Sequence, residues 1–115
     1  MPPSQFGSTI TWLGHCTQGT SDKLWGYLRY GGVCYTFWGK RLGPWTFKNI
    51  GDCPGLAESI RDQKRWSSGS RYLPVDPHYI YPGFLEQLEN AFAKACLTAR
   101  FHGSPSQPGR HNACR

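Results

Sequence analysis

Apolar and aromatic residues recur at every second position between Leu24 and Asn49, and this alternation predicts three strands. From Leu24 to Tyr30, the residues Trp25, Tyr27 and Arg29 fall on one side and Leu24, Leu28 and Tyr30 on the other. From Val33 to Trp38, Val33, Tyr35 and Phe37 oppose Cys34, Thr36 and Trp38. Trp45 and Phe47 flank Thr46 and Lys48 in a shorter third strand. Gly31-Gly32 suits a two-residue hairpin turn, because both glycines accept positive φ. The next connection, Gly39-Lys40-Arg41-Leu42-Gly43-Pro44, is a basic turn. An earlier short strand is expected at Ser8–Leu13, with Ile10 and Trp12 on one face.

The period changes further along the chain. Phe84, Leu85, Leu88, Ala91, Phe92, Ala95 and Cys96 repeat at the intervals of one helical face, which predicts a helix over Pro82–Arg100. A shorter helix is expected at Leu56–Trp66, with Arg61, Lys64 and Arg65 loading its last turns. Arg71–Pro77 reads as extended, since a residue before proline is pushed out of the helical region. The expected fold is α+β. A small twisted antiparallel sheet of three or four strands is covered on one face by the long C-terminal helix, with the short basic helix at the sheet edge. The whole reads as one domain over residues 1–102, followed by a Gly-, Pro- and Ser-rich flexible tail over 103–115.

Charge adds a partner class. Thirteen Lys and Arg against seven Asp and Glu give a net charge of +6, which favours polyanions. No apolar run approaches the roughly 20 residues of a membrane span, and the start of the chain lacks the pattern of an export signal. A cytoplasmic protein with no membrane partner is therefore expected. Five scattered cysteines, an odd number without a CxxC pair, fit free thiols better than a disulfide framework or a zinc site. No GxSxG, HExxH, P-loop or GxGxxG pattern is present, and the carboxylates sit at caps, turns and solvated faces. The expectation is a non-enzyme with no catalytic residues, no metal and no cofactor.

The run Tyr35-Thr36-Phe37-Trp38-Gly39-Lys40-Arg41-Leu42-Gly43, leaving a strand that follows a Gly-Gly hairpin, resembles the WGR domain. That family is named for a Trp-Gly-Arg run at a strand end and occurs in DNA-dependent poly(ADP-ribose) polymerases and in small bacterial and phage proteins. The resemblance covers about residues 22–49. Lys40 stands where the motif has arginine, and lysine cannot make arginine's planar bidentate contact. What the resemblance implies is binding without catalysis, at the sugar–phosphate backbone near DNA ends or breaks. Trp38, Gly39, Lys40 and Arg41 are the first-choice nucleic-acid contacts, with Lys48, Arg61, Lys64 and Arg65 second. DNA is favoured over RNA. Two alternatives stay open. Trp38 can be a core residue beside an ordinary polar turn, and the protein can be an interaction module, such as a phage accessory, virion-associated or host-takeover protein, with a protein partner in a larger assembly.

Overall fold

The computed structural model describes residues 6–67 and 69–98. They form a five-stranded antiparallel sheet with one helix on each face. The strands are β1 (Ile10–Cys16), β2 (Lys23–Tyr30), β3 (Val33–Lys40), β4 (Trp45–Asn49) and β5 (Leu73–Pro74), in the spatial order β4-β3-β2-β1-β5. The helices are α1 (Pro54–Trp66) and α2 (Phe84–Thr98). The fold is the α+β architecture expected, with β5 added where the sequence reads only as extended chain. The tail over 103–115 lies outside the described residues, as does the last part of the expected second helix. No helix among the described residues is long and apolar enough to cross a membrane.

The β2–β3 hairpin is the centre. Gly31 and Gly32 take φ of +60° and +78° in its turn, the conformation their sequence predicts. Leu24, Leu28, Tyr35, Phe37 and Phe47 point to the face under α2, where Phe84, Leu85, Leu88 and Phe92 close a large apolar core. Their alternates Trp25 and Tyr27 point the other way and meet Ala57 of α1 together with Cys16 and Tyr72. Residues 24–28 of β2 are consequently buried without a break.

Four sequence expectations shift. Ile10 belongs to the α2 core and Trp12 to the opposite cluster. A register slip between them, with Ile10 opposite Leu28 but Trp12 opposite Tyr27, marks a bulge that turns the strand over. Helix α1 lies on the second face of the sheet and not at its edge. Ala57 is small enough to let the helix backbone approach, and Ile60 packs beside it. Helix α2 begins at Phe84 because Gly83, at φ +87°, interrupts the chain after Pro82. Cys16, Cys34 and Cys96 carry free thiols, but Cys53 is in disulfide linkage; an odd cysteine count leaves room for a pair as well as for free thiols.

Candidate nucleic-acid interface

The strand register decides which of the expected contacts share a surface. Directly opposed residues in an antiparallel pair project from the same face. Trp38 is opposite Trp25 on one side and Thr46 on the other, so it lies on the α1 face. There it is half-buried against the Trp25–Tyr27–Tyr72 cluster, neither sealed in the core nor freely presented. Gly39 follows at φ +155°, and a Cβ there would collide with the Pro44 carbonyl oxygen. Glycine at this point lets the β3–β4 connection fold back closely and leaves Lys40 on the α1 side.

Lys40 stands directly opposite Lys23 across the β2–β3 ladder, and Lys48 opposite Thr36 puts a third cation on this face. Helix α1 adds Lys64. The Lys64 ammonium sits 5.7 Å from the centre of the Tyr72 ring, and that of Lys23 sits 6.0 Å from it. The two lysines, Gln63, Ser67, Ser70 and Tyr72 line an open polar cavity of about 330 Å³. Burial pushes the Tyr72 phenol above its ordinary value. Lys23, Lys40, Lys48 and Lys64 make no ion pair among the described residues.

At the end of α1 the guanidinium groups of Arg65 and Arg71 lie 5.3 and 5.8 Å from the Trp66 ring centre. That indole is 66% exposed. It is the open aromatic surface of this face, a part the sequence assigns to Trp38. Arg61 is occupied differently. It pairs with Asp62 at 3.0 Å and lies beside Tyr27, whose phenol is raised by burial and partly drawn back by that guanidinium. Glu58 is the remaining carboxylate of the helix.

Arg41 points away from this group. Its Nε donates to both carboxylate oxygens of Asp22 at 3.1 and 3.2 Å, its backbone N–H donates to the Asp22 carbonyl, and its guanidinium lies 5.8 Å from the Tyr81 ring centre. His15 Nε2 approaches the same carboxylate at 2.6 Å. The His15 hydrogen bond, followed by Arg41, holds the Asp22 carboxyl below its ordinary value. Arg41 is thus a tie between the β3–β4 connection and the start of β2.

Of the eight expected contacts, Trp38, Lys40, Lys48, Lys64 and Arg65 come to one face, with Gly39 shaping its rim. Arg41 and Arg61 are engaged in ion pairs. Sequence reasoning omitted Lys23, Trp66, Arg71 and Tyr72. Lys23 extends the Trp25–Tyr27–Arg29 alternation by one step and was legible in it. The Trp66 cluster depends on where α1 ends and how residues 69–72 return, which no local pattern encodes. Compared with protein-family models, curated proteins and solved structures, the chain matches none.

Proposed function

We propose that this protein binds nucleic acid, DNA in the first place, through its sugar–phosphate backbone and without catalysis, using the α1 face of the sheet. The observation that carries this reading is the Lys23–Lys40 pair. Like charges directly opposite one another on neighbouring strands destabilise a sheet, and here no carboxylate among the described residues neutralises them. Lys64 brings a third ammonium toward Lys23 across Tyr72. A face that holds unneutralised cations together is matched to an anion supplied from outside. Phosphates at regular spacing satisfy it, and their binding releases counterions. Trp38 and Lys40 lie on this face, and the WGR resemblance supports reading them as backbone contacts. Trp66 between Arg65 and Arg71 offers an aromatic surface for a sugar or an unstacked base.

The test is fluorescence anisotropy with a nicked duplex, single-stranded DNA and RNA at several salt concentrations. Binding should weaken steeply with salt. Removing Lys23 and Lys64 together should flatten the slope of log affinity against log salt by about two for duplex DNA. Absence of salt-dependent binding to all three would remove the proposal.

A further inference from the structure

On the opposite side of the molecule, the sheet ends at β4, and no strand among the described residues pairs with its outer edge. The Ile50 N–H donates to the Cys34 carbonyl at 2.9 Å. Antiparallel alternation then turns the main-chain groups of Lys48 and Thr46 toward β3 and those of Trp45, Phe47 and Asn49 outward. This edge does not face open water alone. Helix α2 runs alongside it, and the two enclose a groove of about 690 Å³, the largest of the cavities described.

The chemistry of that groove is specific. Ala91 and Ala95 keep its helical wall low, and Gln87 and Asn90 add amides, the Gln87 Oε1 accepting from the Tyr81 hydroxyl, while Thr98 donates its hydroxyl to the Lys94 carbonyl. Lys94 is the one charged residue lining it, and it makes no ion pair among the described residues. At the strand side, the Trp45 indole Nε1–H is buried without a hydrogen-bond partner. An unpaired buried donor is costly, which makes a nearby acceptor favourable. The groove therefore offers a row of main-chain hydrogen-bonding groups and an unneutralised ammonium, with no carboxylate among its lining residues.

We infer that this groove is a docking site for an extended acidic peptide segment of a partner protein, which adds as a further strand to β4. The peptide backbone pairs with the outward groups of Trp45 and Phe47, as in other strand additions to an exposed sheet edge. Its carboxylate meets Lys94. Nothing in this inference depends on nucleic-acid binding, which uses the opposite face.

Panning the immobilised full chain against a display library of random 12-residue peptides tests it. The enriched sequences should carry acidic residues among β-branched ones. Adding such a peptide to isotopically labelled protein should shift the Trp45 indole signal and the Phe47 amide. Lys94→Glu, at an exposed position that leaves folding intact, should weaken binding by about tenfold or more through like-charge repulsion. Lys23→Ala with Lys64→Ala should leave it unchanged. Failure to enrich any peptide, enrichment of neutral or basic peptides, or binding that leaves Trp45 unmoved or survives Lys94→Glu would each overturn the inference.

Discussion

Lys40 and Arg41 are neighbours in sequence, yet their side chains have opposite roles. Lys40 faces Lys23 with no counter-charge among the described residues, so its removal should relieve repulsion. Lys40→Thr is expected to raise stability by about 0.2–1 kcal/mol, the usual range for a cross-strand pair. The same change should weaken DNA binding and flatten its salt slope by about one. Arg41→Ala should do the reverse, lowering the melting temperature while leaving the salt slope alone, because its guanidinium serves Asp22 and Tyr81. Thermal melts and salt-titrated anisotropy on both variants separate the two roles. The Asp22 carboxyl also makes a pH prediction. Its folded pKa lies below the ordinary 3.8 of the unfolded chain, so its contribution to stability is complete above that value. The contribution disappears as pH falls through the lowered folded value. The melting-temperature gap between wild type and Asp22→Asn should therefore be present above the ordinary value and close as the pH falls below it. A gap that persists undiminished in strong acid would contradict the His15–Asp22–Arg41 arrangement.

Among the elements, those with a strong period were legible and those with a weak one were not. The β2–β3 hairpin carried both its faces in its alternation, because Leu24, Leu28, Tyr35 and Phe37 all reach the α2 core and Trp25 and Tyr27 the other cluster. The apolar stripe of α2 was equally plain. The bulge in β1 was not, since one extra residue reverses facing without changing composition. Helix α1 was misplaced because its buried side rests on one alanine and one isoleucine, with Arg61 and Lys64 half-buried beside them. Cations that look like a solvated helix face in the sequence instead rim the contact with the sheet. Ala57 has no exposed surface, so Ala57→Leu should push the helix outward at a cost of about 1–3 kcal/mol. The two tryptophans divide the roles the sequence left open for one. Trp38→Ala should lower the melting temperature, since the ring packs against the Trp25 cluster. Trp66→Ala should leave it within about 0.5 kcal/mol, the surface norm. Its cost should fall on binding instead, at about 1–3 kcal/mol for single-stranded ligands. Parallel melting and binding curves for the pair decide it.

Across the whole molecule, the sheet separates two chemistries. One face is sealed by the phenylalanine- and leucine-rich side of α2, with the groove along β4 beside it. The other is only partly closed by α1, holds Lys23 and Lys64 at Tyr72, and carries Lys40, Lys48 and Trp38 on the same side of the sheet. The net charge of +6 favours a polyanion partner without saying where one would bind. The location proposed for it rests on strand pairing between residues distant in sequence, such as Lys23 with Lys40, which no local pattern encodes. The central claim is that nucleic acid occupies the α1 face. Amide chemical-shift mapping during titration with a short nicked DNA duplex tests it most directly. The account predicts shifts at Lys23, Trp38 to Lys40, Lys48, Lys64 to Trp66 and Arg71, with Leu85, Asn90 and Lys94 of α2 unmoved. Shifts gathered along α2 and β4, or none at all at low salt, would contradict it.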